Sequence, residues 1–387
     1  MLRIALVITE LETGGAESCL TELAIFLAAR GWQVRVLSLG PPPLAPRDEL
    51  VLRLATAGVV VHFGQARGAV HFRKTVRWLR SELQQFAPQV VQSMLWHANV
   101  ICGFVLRGQP MCWVGGMRVS EPRRWRWMIE RWSARHMSKM VCVSDDVRRH
   151  AELRQGIPSD KLCTIPNGIQ TDVPKNALDS SPANHWREVG MPDAHNVLLF
   201  VGRLEPQKGA LALIEQLPEI LSCLPAWQVV FIGEGSQRTS MEKQIQSAGL
   251  AERVRLVGWQ SQPARWMQAS QIVLLPAAYE GMPNVLLEAM SVGKPFVAFA
   301  VDGIAQLLAD DYPAGRAEIQ LSQPGDWPEF QRRVRRLAND ALLRGQCGQA
   351  NRQHVLQHFR LEDQLAKYVD LYGQLVARQG SPATNIS

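Results

Sequence analysis

The chain has no apolar run approaching a membrane span. Its first apolar stretch, Ile4 to Ile8, meets Glu10 and Glu12 too soon to serve as the hydrophobic region of a secretion signal. The seven cysteines are odd in number, scattered and without a C-x-x-C pair. That argues against a disulfide framework or zinc site and for reduced, mostly buried thiols in a cytosolic protein. The first strand is not followed by G-x-G-x-x-G, and no acidic residue closes the second, which disfavours a nicotinamide dinucleotide site. No Asp-x-Asp element ends a strand, so no metal is expected. Basic stretches occur without a stacking module or recognition motif, so no nucleic-acid partner is expected either.

What is present is enough chain for two cores, since 387 residues exceed what one usually serves. The charge balance, 42 − 35 = +7, favours anionic partners without identifying one. Leu2–Ile8 reads as a buried strand, Gly14-Gly15-Ala16-Glu17 as a turn, Ser18–Ala29 as a helix and Gln33–Ser38 as the next strand. Strand, glycine turn, helix, strand announces an α/β layer with a parallel sheet. The theme restarts at Asn196–Val201 with the loop Gly202-Arg203-Leu204-Glu205-Pro206-Gln207-Lys208-Gly209. The expected division is a first domain over 1–170, a linker over 171–195, a second domain over 196–355 and a C-terminal segment over 356–387. That last segment is expected to pack an amphipathic helix on the first domain and to end in a disordered tail.

Ligands of such sheets sit outside the carboxyl ends of the strands. The strongest stretch there is Glu280-Gly281-Met282-Pro283-Asn284-Val285-Leu286-Leu287-Glu288, after the buried run Gln271–Pro276. Gly281 permits close backbone approach, Pro283 suits a first helical turn, and the helix's leading N–H groups form a seat for phosphate. Carboxylates cannot hold phosphate themselves, so Glu280 and Glu288 suit uncharged hydroxyls on either side of it. Arg203 and Lys208 offer cations to a diphosphate leaving group, whose charge grows as its bond breaks. Gly258 and Trp259 end a strand where a loop can grip a nucleobase edge. In the first half, His97 follows a strand and suits a sugar hydroxyl or developing charge, and Arg118 lies in a loop at the same edge. Each of these has a plainer reading as a solvated loop or a satisfied structural side chain.

Two segments are basic and aromatic. Gly68–Phe86 interleaves Arg73, Lys74, Arg77 and Arg80 with apolar residues, and Glu121–Lys139 mixes Arg123, Arg124, Arg126, Arg131 and Arg135 with Trp125, Trp127 and Trp132. Both suit an anionic lipid surface; both also suit helices that cover a sheet.

Taken together, Gly14-Gly15-Ala16-Glu17, Ile165-Pro166-Asn167-Gly168, Gly202-Arg203 with Lys208-Gly209, Gly233-Glu234-Gly235 and the Glu280–Glu288 pair in E-x7-E spacing resemble a retaining glycosyltransferase of family four (glycosyl transferases group 1). The resemblance covers nearly the whole chain. It implies the GT-B fold, two Rossmann-like parallel-sheet domains facing a central cleft. It also implies a sugar donor carrying UDP or GDP, and a glycan or lipid-linked acceptor, as in polysaccharide, lipopolysaccharide or glycolipid synthesis. By resemblance, Gly15 approaches the diphosphate, Arg203 and Lys208 bind it, and amides around Asn284 and Val285 complete its seat. Glu280 meets the sugar, Glu288 the ribose, and Gly258 and Trp259 the base. Glu280, His97, Arg203 and Lys208 form the expected catalytic set, Gly281, Met282 and Pro283 belong to the donor loop, and Arg118 stands on the acceptor side. No cofactor is implied beyond the donor itself, and the location implied is cytoplasmic, with peripheral seating on the inner face of a membrane as an option. Two departures stand out. Asp302 and Gln306 occupy a loop where many relatives have Gly-Gly and a glutamate, and Val119 stands where some have histidine. They keep open a silent nucleotide-sugar-binding protein; an epimerase or phosphorylase of the same fold is a further alternative.

Overall fold

The computed structural model describes residues 1–66, 68–170, 186–191, 195–308 and 312–380. Most of the expected linker and the expected tail lie outside them. The chain divides into two compact units. One comprises Met1–Asn167 and the stretch from Glu362 onward; the other is Gly168–Leu361.

In the first unit the order is β1 (Arg3–Ile8), α1 (Gly15–Ala29), β2 (Gln33–Ser38), α2 (Glu49–Thr56), β3 (Val60–Phe63), α3 (Phe72–Phe86), β4 (Val90–Met94), α4 (Trp96–Leu106), β5 (Cys112–Met117), α5 (Arg124–Ala134), β6 (Lys139–Cys142), α6 (Asp145–Leu153) and β7 (Leu162–Thr164). The seven strands pair in the order β3-β2-β1-β4-β5-β6-β7, each pair parallel. Ile4 to Ile8 in β1 are fully buried, as a central parallel strand covered on both faces requires. Each such side chain contributes roughly 1.5–3 kcal/mol of burial. The C-terminal helix, Leu361–Gly380, also belongs here: Tyr372, fully buried, donates its hydroxyl to Gln92 Oε1 of β4 at 2.9 Å.

The second unit holds β8 (Asn196–Val201), β9 (Trp227–Ile232), β10 (Val254–Gly258), β11 (Ile272–Leu275), β12 (Phe296–Phe299) and β13 (Leu321–Ser322). They form one parallel sheet in the order β10-β9-β8-β11-β12-β13. Helices Ala210–Ser222, Arg238–Ser247, Pro263–Ala269 and Asn284–Ser291 supply crossovers. Both sheets therefore reverse their winding at one point, between β1 and β4 and between β8 and β11. In open parallel sheets the loops leaving the carboxyl ends of the strands part at such a reversal, which is where ligands bind. Among the described residues no helix is long and apolar enough to cross a membrane.

Candidate functional site

In the second unit the two loops that flank the reversal are the ones carrying the expected site residues. After β8 the chain passes through Gly202 and Arg203 to a short 3-10 turn, Pro206–Lys208, and enters its helix. After β11 it runs through Pro276 to Pro283 before the helix Asn284–Ser291. Gly209 joins them: it has φ +72°, and a Cβ there would lie 2.1 Å from the Pro276 carbonyl oxygen. Only glycine meets both the left-handed backbone and the close approach. The Ala278 amide donates to the Gln207 carbonyl at 2.8 Å, which completes the junction.

That junction brings Lys208 and Glu280 together. The Lys208 ammonium donates to Glu280 Oε1, with Glu280 4 % exposed. The sequence reading assigned these two to different parts of a ligand; the fold pairs them with each other. A buried carboxylate needs a partner, and losing one member of such a pair costs about 3–5 kcal/mol.

Arg203 is exposed and donates through Nη2 to Gln207 Oε1 at 3.3 Å. Gln207 in turn donates through Nε2 to the Tyr279 carbonyl at 3.1 Å. One amide thus ties the guanidinium to the backbone immediately before Glu280. Sequence reasoning passed over Gln207, because an uncharged residue in a loop carries no signal until its two partners are known.

Pro283 stands as the cap residue before the helix rather than inside its first turn, with φ −75° and ψ 118° and no side-chain cap. Asn284 and Val285 are the first two helical residues and half-buried; Gly281 and Met282 are buried. The leading amides of a helix suit an anion. Glu288 lies one turn further on, partly exposed, and desolvation pushes its carboxyl up to about 7. The loop after β12, which holds Asp302 and Gln306, packs on this stretch. Gly303 has φ +72°, and a Cβ there would lie 1.5 Å from the Gly281 carbonyl oxygen. Asp302 itself is exposed.

Gly258 ends β10 with φ +75°, where β10 shifts register against β9 between Leu256 and Gly258; Trp259 follows it, half-buried. A Cβ on Gly258 would lie 2.8 Å from Glu234 Oε1, and Glu234 accepts from Arg238 Nη1 at 2.6 Å. Glu205 accepts from the Ser236 amide at 2.8 Å and hydroxyl at 2.7 Å, which holds its carboxyl below the usual range. Glu205 thus joins the loops after β8 and β9, another pairing that sequence order does not reveal.

In the first unit, Gly15 begins α1 after β1 and His97 lies in the first turn of α4 after β4, so both flank the reversal of that sheet. His97 was expected to follow the strand, and it does so within a helix that starts at once after Leu95, which takes φ +76°. A leucine at positive φ costs about 1–3 kcal/mol, a strain that clusters at functional turns. His97 is exposed, and its ring meets Trp96 edge-on with centroids 5.1 Å apart. Desolvation, with Arg126 nearby, lowers its pKa, so the imidazole is neutral at pH 7 and can both donate and accept. Arg118, beyond β5, reaches the first turns of α1: its Nη2 donates to Cys19 Sγ at 3.3 Å, while its buried Nη1 has no hydrogen-bond acceptor among the described residues. Val119 follows it in the loop, half-buried.

Comparison with known proteins agrees with this architecture. Residues 184–354 match the family described as Glycosyl transferases group 1. Residues 13–173 match the one described as Glycosyltransferase Family 4. A phosphatidyl-myo-inositol mannosyltransferase of Mycobacterium leprae is 28% identical over 310 residues, which are 77% of this chain and 78% of the relative. The lipopolysaccharide core biosynthesis glycosyltransferase LpsD of Rhizobium meliloti is 25% identical over 95% of this chain and 97% of its own. Among solved structures, Anabaena HepE in complex with UDP and glucose superposes with a TM-score of 0.82 at 18% identity, covering 97% of this chain and all (100%) of that one. Sucrose-phosphate synthase of Thermosynechococcus elongatus gives 0.78 at 20% identity, covering 98% and 100%. The fold is GT-B, and with both halves matched in order the chain belongs to the glycosyltransferases of group 1, family 4.

Proposed function

We propose that the protein transfers a hexosyl group, with retention of anomeric configuration, from a UDP- or GDP-sugar to a hydroxyl of a glycan or lipid-linked acceptor. The observation that carries this reading is the Lys208–Glu280 pair at the sheet reversal, beside Arg203 and the start of the Asn284–Ser291 helix. As the bond from the anomeric carbon to the diphosphate oxygen breaks, negative charge grows where Lys208, Arg203 and the helix amides stand. The acceptor oxygen forms its bond to the same carbon from the leaving-group side. Its proton passes to the departing diphosphate oxygen, so no nucleophile from the protein is needed. Glu280 accepts from hydroxyls of the transferred sugar, Glu288 from the ribose, and Gly258 with Trp259 borders the base. His97 and Arg118 serve the acceptor side, and Gly15 approaches the diphosphate.

Support for a nucleotide donor comes from HepE, solved with UDP and with UDP-glucose. Support for a glycolipid or lipopolysaccharide acceptor comes from the relatives' names. In this reading the protein works in the cytoplasm, peripherally on the inner face of a membrane. It also needs no metal, because two cations occupy the leaving-group position; chelation with EDTA is expected to leave the rate within about twofold. The test is nucleoside diphosphate release from a panel of nucleotide sugars with lipid-linked and free glycan acceptors. Silence with every donor would sink the enzyme reading, and tight UDP binding without turnover would favour a binding protein instead.

A further inference from the structure

The basic aromatic segments remain, and the fold assembles them into one surface. In α5, Trp125, Met128 and Trp132 follow at helical spacing along one stripe, with Arg124, Arg131 and Arg135 on the next. Trp125 is 50% and Met128 70% exposed. The neighbouring helices continue the stripe: Trp132 touches Phe104 of α4 with ring centroids 4.8 Å apart, and Phe104 touches Phe72 of α3 at 5.1 Å. Phe104 is itself 46% exposed. Along α3 the exposed cations Arg73, Arg77 and Arg80 recur at helical spacing with Lys74 beside them. Arg107 is exposed just beyond the end of α4.

Charge on this face is of one sign. Between Gly64 and Ser144 the only carboxylates are Glu82, Glu121 and Glu130. Glu82 is held by Arg35 and His62, Glu121 by Arg126, and Glu130 is buried. Within this stretch none is left to offset the arginines. Scattered exposed aromatics are ordinary, but a ridge crossing three helices with cations on both flanks is not a solvated face. At its α5 end the ridge runs into the candidate site: Trp125 meets Trp96 at 5.4 Å, and Trp96 meets His97 at 5.1 Å.

We propose that the ridge formed by Phe72, Phe104, Trp132, Met128 and Trp125 is a docking surface for an anionic phospholipid bilayer. The aromatic and Met side chains enter the headgroup boundary, while the arginines of α5 and the cations of α3 pair with lipid phosphates. Docking holds His97 at the membrane surface, where a lipid-linked acceptor would present its hydroxyl. This acceptor part rests on the function proposed above; the docking itself does not.

The experiment is co-sedimentation of the full chain with vesicles of phosphatidylcholine alone or with phosphatidylglycerol added, at low and raised salt. UDP affinity is measured on the same samples. Binding is expected only to the anionic vesicles and is expected to weaken with salt. Each of Arg124→Ala, Arg131→Ala and Arg135→Ala should weaken partition by roughly fivefold. The double variant Trp125→Ser/Met128→Ser should weaken it as well, with UDP affinity unchanged in all four. Wild-type protein that ignores anionic vesicles, variants that partition like wild type, or tighter binding to an oligonucleotide than to vesicles would each overturn the assignment. Loss of UDP binding in the wild type alone would instead count against the donor reading.

Discussion

At the scale of single residues, the Lys208–Glu280 pair decides the most. Both members are expected to matter, by different routes. Lys208→Ala removes a cation from the leaving group and leaves Glu280 buried and unpaired, so kcat should fall about a hundredfold or more with some loss of stability. Glu280→Gln keeps the shape and removes the charge, so a comparable loss of kcat with near-normal UDP affinity would assign it to the sugar; wild-type turnover would mean the site is misplaced. Initial rates and UDP titration separate these cases. Gln207 is a positioning residue in this arrangement, since it links Arg203 to the Tyr279 carbonyl. Gln207→Leu should cost about tenfold in kcat/KM. Gln207→Glu should restore part of that loss, because a carboxylate still accepts from Arg203 but cannot donate to Tyr279. Glu288 gives a pH test. Its carboxyl is raised to about 7 by desolvation, so it is half-protonated near neutrality in the free protein. Under the proposed donor reading, ribose hydroxyls that donate to it would favour the ionised form; donor binding should then release a proton, and affinity should rise as pH climbs through 7. The folding sign runs the other way. A raised carboxyl makes the fold less stable as pH rises from the ordinary range towards 7. Glu288→Gln should flatten both dependences beyond the phosphate's own titration, measurable by calorimetric titration and thermal unfolding across pH.

At the scale of elements, the loops rather than the strands are the built parts. The loop after β12, which holds Asp302 and Gln306, touches the Glu280–Glu288 stretch through Gly303. Gly303→Ala combines a left-handed backbone with a Cβ far inside contact distance of Gly281. It should destabilise the protein by about 2–4 kcal/mol and weaken UDP binding, as seen in thermal unfolding with and without UDP. Sequence reading found the departure at this loop but not its consequence, because packing between two strand-end loops has no local pattern. It did find the strands, whose unbroken apolar runs at β1, β8 and β11 follow directly from burial on both faces. Helix starts were less legible. α4 begins at Trp96 on a strained Leu95, against the preference of a bulky residue, and only surrounding structure can impose that.

At the scale of the whole molecule, the last helix returns to the first unit, so residues far apart in the chain share one core. Tyr372→Ala should cost about 3 kcal/mol or more and raise hydrogen exchange in β1 and β4, leaving β8 and β11 protected. The two sheets, their parallel sense and the family were written in the sequence, because strand runs, glycine turns and the Glu280–Glu288 spacing are local features that burial and backbone sterics read directly. What only the tertiary structure decided is who meets whom: Lys208 with Glu280, Gln207 between Arg203 and Tyr279, Gly303 on Gly281, and three helices' aromatics in one ridge. Those pairings depend on strand order, which places β8 beside β11 although more than seventy residues separate Asn196 from Ile272. No periodicity in a sequence reports a neighbour that a parallel sheet supplies from so far along the chain.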